Sequence, residues 1–213
     1  MSPARGFSLL APFYSCLGLV LGSTLRRARR EFIDSLAPAT RILIVGGGNG
    51  QVLTDLLKHQ PKASIDYLDI APGMIASAKK SLHKLHPEKV DQVNFICADL
   101  MNHDLANQYD LIITQFFLDC FTENTLDKVM KKLHSALLTQ GQWLFCDFTA
   151  NRAFGRLCAF LLYPFFRLVC GIEARELAIF RKKFQLFCYQ IERESCISTM
   201  IECTLYKKLS VNT

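Results

Sequence analysis

None of the nine cysteines forms a Cys-x-x-Cys pair. That excludes zinc-ribbon and thioredoxin-type spacings, and an odd count fits a disulfide framework poorly. The thiols at positions 16, 97, 120, 146, 158, 170, 188, 196 and 203 are scattered, most of them in apolar stretches. The expectation is buried, reduced thiols in a cytoplasmic protein, with no metal. The chain also lacks an internal repeat and a low-complexity tract, which excludes solenoids and disordered linkers. Charge is sparse, at 21% of residues against 50% hydrophobic. A chain of 213 residues with that balance builds one sizeable core, alone or with a short appendage.

The 19 residues from Phe7 to Leu25 carry no charge. Pro12, Gly18, Gly22 and several hydroxyl residues interrupt them, and no small-x-small cleavage site follows. Leu10, Phe13, Leu17, Val20, Leu21 and Leu25 recur at helical spacing, which predicts a helix packed by one face; peripheral membrane contact is the alternative. Net charge is +6, much of it from Arg26, Arg27, Arg29 and Arg30. Such a run is either the solvated face of a helix or a contact for phosphates. The helix is expected to run on to Leu36 and to break at Ala37-Pro38.

From Arg41 onwards strands and helices alternate. Strands are expected at 41–46, 64–69, 92–97, 109–115 and 142–148, the last after a turn at Gln140-Gly141. Helices are expected at 51–59, from Pro72 through Leu85, and at 124–137. Residues 151–180 read as helical and strongly aromatic. Phe184 to Glu194 and Met200 to Leu209 read as strands of a closing hairpin. The alternation argues for an α/β, doubly wound sheet with helices on both faces.

Chemistry concentrates in three places. Arg41-Ile42-Leu43-Ile44-Val45 runs into Gly46-Gly47-Gly48-Asn49-Gly50 and then into a helix, a surface on which a ligand touches backbone. A dinucleotide fingerprint would need glycine or alanine at position 51, where Gln51 stands. Asp69 ends the second strand 23 residues after Gly46. It is placed to accept from ribose hydroxyls, or else to cap the helix at Pro72. Asp99 follows the third strand, within reach of an adenine amino group or as an ordinary loop acid.

Together these segments resemble the class I S-adenosylmethionine-dependent methyltransferases. Gly46-x-Gly48-x-Gly50 is similar to that family's first motif. Tyr67-Leu68-Asp69-Ile70-Ala71-Pro72-Gly73-Met74-Ile75 resembles its ribose segment, and Ala98-Asp99-Leu100 its adenine segment. Leu137 to Leu144 resembles the turn before the fifth strand. Phe7 to Tyr14 is similar to the aromatic lead-in of small-molecule members, including those related to quinone methyltransferases. The resemblance implies a Rossmann-like, seven-stranded sheet, mostly parallel with an antiparallel C-terminal hairpin strand. It implies S-adenosyl-L-methionine held by Gly46, Gly48, Asn49, Gly50, Asp69, Ile70, Met74, Asp99, Leu100 and Gln115. Residues 1–40 become an N-terminal helical segment covering the cofactor site. Residues 41–213 become the methyltransferase domain, with a helical acceptor-site insertion at 151–180. The family places Asp or Glu two residues before the first glycine, where this chain has Ile44.

The edge after the fourth strand reads Thr114-Gln115-Phe116-Phe117-Leu118-Asp119-Cys120-Phe121. It lacks the Asn/Asp-Pro-Pro-aromatic sequence of base-amine methylation. A pocket from Phe13, Tyr14, Phe116, Phe117 and Tyr163 suits a small, largely apolar or aromatic acceptor. Asp119 and Asp147 are candidate general bases, with helix capping the other reading of Asp119. His103 is a weaker candidate. The expected partner is a small molecule rather than nucleic acid. Three alternatives stay open: an RNA-directed methyltransferase using the arginines and Lys131-Lys132, a cofactor-binding relative without activity, and a nicotinamide-dependent oxidoreductase.

Overall fold

A computed structural model describes residues 22–105, 108–148, 180–197 and 201–210. The expectations for residues 1–21 and for the 151–179 part of the insertion lie outside the described residues; the hairpin turn expected near Ser195–Ser198 falls later, since β6 runs to Ile197.

Seven strands form one sheet: β1 Arg41–Val45, β2 Ser64–Asp69, β3 Val93–Cys97, β4 Tyr109–Gln115, β5 Leu137–Phe148, β6 Tyr189–Ile197 and β7 Ile201–Lys208. Their order is β3-β2-β1-β4-β5-β7-β6. The first five run parallel, and β7 is antiparallel to both β5 and β6. The order reverses between β1 and β4, where an open α/β sheet places its ligand at the strands' C-terminal ends.

Five helical segments are described: α1 at 22–30, α2 Gln51–His59, α3 Pro72–Leu85, α4 Glu123–Ala136 and α5 Phe180–Leu186. Alternation along each strand sorts the two faces. Ile42 and Ile44 of β1 and Leu111 and Ile113 of β4 meet Val52, Leu53, Leu56 and Leu57 of α2 and Ile75, Ala78 and Leu82 of α3. Leu43, Val45 and Ile112 face the other way, onto Leu126, Val129, Met130 and Leu133 of α4. Each fully buried Leu or Ile contributes roughly 1.5–3 kcal/mol, so both layers hold the central strands tightly. Local signals set the helix starts: Pro72 opens α3, and the Thr122 hydroxyl accepts from the Thr125 amide ahead of α4.

A third cluster packs Leu25 and Ala28 of α1 on Cys146 and Cys203. Beyond β4, an aromatic layer joins Trp143, Phe145, Phe184, Tyr189 and Tyr206, with the Trp143 indole donating to the Thr114 hydroxyl at 2.8 Å.

Several boundaries differ from the sequence reading. α1 ends by Arg30 rather than running to Leu36, because Phe32 turns left-handed (φ 66°) and Ile33–Ser35 forms a 3-10 turn. Gln92 belongs to a 3-10 turn, Pro87–Gln92, and not to β3. The turn at Gln140-Gly141 is a bulge inside a longer β5: pairing jumps from Tyr109–Leu137 to Leu111–Gln142, and Gln140 has φ 65°. Phe184 lies on α5, not on a strand, its ring buried among aromatics. Cys97, Cys188 and Cys196 are exposed; among the described cysteines only Cys146 and Cys203 are core thiols, while Cys120 is intermediate. Among the described residues no helix is long and apolar enough to cross a membrane, and no group of His, Cys, Asp and Glu could hold a metal ion.

Candidate functional site

The C-terminal ends of the parallel strands gather most of the predicted residues. Gly46 follows β1, Asp69 ends β2, Asp99 follows β3, Gln115 ends β4 and Asp147 lies near the end of β5. The loop Gly46–Gly50 leaves β1 at the switch point and enters α2. Gly46, Gly48 and Gly50 all have positive φ, which L side chains adopt only with strain. A side-chain carbon built on Gly48 would meet nothing within 4 Å among the described residues, so this turn of backbone is left uncovered by them. At Gly50 the same carbon would come within 2.9 Å of Ala78, so the glycine there lets α3 pack on the loop.

Asp69 organises that loop. One oxygen accepts from the Gly48 amide at 3.0 Å, and the other accepts from the Ala71 amide at 2.9 Å. The residue is largely buried, and burial pushes its carboxyl above the usual aspartate range against the pull of those two amides. Each carboxylate oxygen has a second lone pair that these contacts leave over. Ala71, rather than Asp69, is the N-cap of α3. Ile70 and Met74 flank it, Met74 buried in the first turn of the helix. The Asn49 carbonyl accepts from Ser81 at 3.5 Å.

Asp99 is exposed and caps a 3-10 turn, Leu100–Asn102, accepting from the Met101 amide and the Asn102 side chain, each at 2.9 Å. Leu100 is buried beneath it. His103 lies in the loop beyond, partly buried.

Asp119 and Asp147 form a pair the sequence did not reveal. The Asp147 Oδ2 accepts from the amides of Phe117, Leu118 and Asp119 at 3.3, 2.9 and 3.2 Å, and Oδ1 from Phe148 at 3.2 Å. It thereby clamps the turn after β4. The two carboxyls hydrogen-bond to each other, and burial pushes both pKa values up, Asp147 well above its ordinary range with the neighbouring Asp119 charge adding to the rise. Two buried carboxylates this close do not both ionise, so the pair shares a proton. Asp119 does not cap α4; Thr122 does.

Around this pair, Phe116 (φ 55°) packs on Phe148 at 5.2 Å and Phe117 meets Phe121 edge-on at 5.0 Å. Phe117 also lies against Gly46, so the acceptor edge and the glycine loop are in contact. Phe13, Tyr14 and Tyr163 lie outside the described residues. The arginine cluster divides: Arg30 pairs with Asp55 at 2.8 Å, Arg29 donates to Gln51 at 2.7 Å and sits over the Phe116 ring, and Arg26 and Arg27 are exposed.

Ile44 is fully packed in the core under α2 and α3. Its face nevertheless carries a polar group at the rim. Gln115 is 7% exposed, donates its amide to the Arg29 carbonyl at 3.0 Å, and its buried Oε1 has no partner among the described residues. An open left-handed turn, a carboxylate with spare lone pairs and a buried unpaired acceptor around one edge fit a nucleoside ligand bearing a cationic tail.

Comparison with known proteins gives the same direction. Residues 43–143 match the family model described as a methyltransferase domain. Over 107 residues the chain is 37% identical to a malonyl-[acyl-carrier protein] O-methyltransferase of Priestia megaterium, which is 50% of this chain and 36% of that protein. A second such enzyme, from Bacillus cytotoxicus, is 37% identical over 123 residues, 58% of this chain and 40% of its own. The chain thus spans well under half the length of these curated relatives. The N-methyltransferase NodS of Bradyrhizobium japonicum, solved with S-adenosyl-L-homocysteine, superposes with a TM-score of 0.66 over 87% of this chain and 86% of its own at 12% identity, a likeness of fold alone. Strand order, the loop at the β1–β4 switch point and the matched family agree: residues 43–143 are a class I S-adenosylmethionine-dependent methyltransferase domain, and the cofactor of that family is S-adenosylmethionine.

Proposed function

We propose that this protein transfers a methyl group from S-adenosylmethionine to a small, largely apolar or aromatic acceptor. The observation that carries the reading is the juxtaposition of the Gly46–Gly50 loop with an aromatic edge, through the contact of Phe117 on Gly46. When bound, the cofactor supplies an electrophilic methyl on a sulfonium, and the chain's task is alignment. In this reading Asp69 accepts from the ribose hydroxyls and the Gly48 backbone faces the ligand. Asp99 and Leu100 border the adenine, with Ile70 and Met74 beside them. Phe116 and Phe117 line the acceptor side. In this reading the described α1 helix borders the site, with Arg29 on Gln51 and over the Phe116 ring.

Asp119 is the proton acceptor for a hydroxyl group on the substrate. Asp147 holds it in place, and the shared proton sets its basicity. The RNA-directed alternative is disfavoured by the engagement of Arg29 and Arg30 with α2.

A second reading follows from the curated relatives, whose printed acceptor is a malonyl group on a carrier protein. A carboxylate acceptor is already ionised at neutral pH and needs no base. Asp119→Asn therefore separates the two: it abolishes methylation of a hydroxyl acceptor and spares that of a carboxylate.

Calorimetric titration with S-adenosylmethionine, S-adenosylhomocysteine and NADH tests the site itself. Binding of the two adenosyl compounds alone is expected, weakened about 10- to 100-fold in Asp69→Ala for the loss of charge-assisted hydrogen bonds. Failure of both adenosyl compounds to bind the wild type sinks the reading.

A further inference from the structure

We propose that Gln115 Oε1 is the receptor for a primary ammonium group, that of the cofactor's amino-acid tail. The inference rests on the reading of the edge as an S-adenosylmethionine site and names the group that holds its charged end.

Three observations converge. The first is the unpaired acceptor. Gln115 is 7% exposed, its amide nitrogen is committed to the Arg29 carbonyl, and Oε1 is buried with no hydrogen bond among the described residues. A buried carbonyl oxygen with no donor is left desolvated at a cost, and a donor supplied by a ligand recovers it.

The second is position. Val45 pairs with Thr114, so Gln115 stands one residue further on, alongside Gly46. Ile44 pairs with Ile113 on the α2–α3 face of the sheet. Side chains alternate, so Gln115 shares that face, one pleat (about 7 Å) nearer the strand ends. Position 44 offers only a packed aliphatic side chain. The polar group on this face therefore sits at the rim beside the loop, not beneath it.

The third is the local field. Arg29, whose carbonyl receives Gln115, lies in the last turn of α1, where helix carbonyls carry partial negative charge. The neighbouring Ala28 carbonyl accepts from the thiols of Cys146 and Cys203 at 3.7 and 3.6 Å. These carbonyl oxygens and the Gln115 amide oxygen are acceptors that suit a donating cation, while the Arg29 guanidinium is engaged with Gln51 and the Phe116 ring. A neutral hydroxyl would satisfy Oε1 but would gain less from the field.

The experiment compares S-adenosylhomocysteine with methylthioadenosine, which keeps the nucleoside and lacks the amino-acid tail. Both are titrated into the wild type, Gln115→Leu and Gln115→Glu. Gln115→Leu should weaken S-adenosylhomocysteine by about tenfold or more, the scale of a lost charge-assisted bond, and leave methylthioadenosine within about twofold. Gln115→Glu loses the amide donor to Arg29 but keeps an acceptor, and should retain S-adenosylhomocysteine. Equal weakening of both ligands by Gln115→Leu, or of neither, overturns the inference. So does a loss in Gln115→Glu as large as in Gln115→Leu, which would assign the effect to the Arg29 tether. A wild type that binds neither ligand overturns the site reading itself, and with it this assignment.

Discussion

The Tyr67 hydroxyl donates to the Gly48 carbonyl at 2.9 Å, reaching from β2 to the far side of the glycine loop. The tyrosine is fully buried, and burial raises its pKa well above the phenolic range, so it stays a donor. A side-chain carbon on Gly47 would come within 2.4 Å of this ring. Tyr67 is thus a strut that sets the height of the loop. Tyr67→Phe should cost about 1 kcal/mol of stability and weaken S-adenosylhomocysteine a fewfold, measured by denaturant titration and calorimetry. Gly47→Ala should be worse on both counts, because a buried ring has nowhere to move. If Gly47→Ala binds like the wild type, the strut is not needed.

Asp147 gives a prediction with a sign. The folded state holds its proton more tightly than the unfolded chain, because burial and the Asp119 charge raise its pKa. Stability should therefore fall as pH rises from about 4, the unfolded value, toward the raised folded value. Asp147→Asn keeps an acceptor for the three amides and a donor for Asp119. It should change stability at neutral pH by about 1 kcal/mol or less and flatten this slope. Asp147→Ala strands the amides of Phe117, Leu118 and Asp119, at a cost of about 3 kcal/mol or more. Denaturation midpoints across pH for the three proteins decide it; an unchanged slope in Asp147→Asn would show that the proton lies elsewhere.

At the opposite end of the sheet, Asp110 Oδ2 accepts from the Thr40 amide, the Thr40 hydroxyl and the Arg41 amide at 2.8, 2.6 and 2.9 Å. Burial pushes its pKa up, but the three donors outweigh it and hold the carboxyl below the usual range. This contribution is present above the unfolded aspartate pKa and is lost as pH falls through the lowered folded value. The site is solvent-accessible, so Asp110→Ala should cost about 1 kcal/mol at neutral pH, and the difference from the wild type should vanish in acid. Thermal melts at neutral and acid pH provide the check.

Phe184 stacks on Tyr206 at 3.9 Å with 12° between planes and meets Trp143 edge-on at 5.0 Å. It joins α5 to β5 and β7. Phe184→Ala should remove about 3–5 kcal/mol, a large share of a domain's total stability. Urea unfolding with an unchanged midpoint would contradict this packing.

The parallel core was legible in the sequence because its signals are local. Leu111-Ile112-Ile113 can only be a doubly buried strand, and Pro72 and the glycine loop mark helix starts by their backbone preferences. What failed was the reading of segments whose fate depends on partners. Phe184 and Gln185 look like the start of a strand, yet α5 forms because Phe184 finds Trp143 and Tyr206. Gln140-Gly141 looks like a turn, yet becomes a bulge because β4 continues to pair across it. Cys97 looks like a core thiol by its apolar neighbours in sequence, but it stands at the very end of β3, where the strand runs out of cover.

The candidate site divides in the same way. The glycine loop, Asp69 and Asp99 were placed by strand–turn–helix order alone, since that order brings the C-terminal strand ends together in any doubly wound sheet. The sharing of a proton between Asp119 and Asp147 came from tertiary structure, because residues 28 positions apart meet only when β4 and β5 pair. The same is true of Gln115, an ordinary strand-end residue in the sequence. Sequence by itself determined the fold family and the cofactor loop, through local backbone preference and hydrophobic period. Only the packing of α1 on the sheet edge decided which polar groups are buried, paired or left unpaired there, because burial and hydrogen-bond satisfaction are properties of distant segments brought into contact.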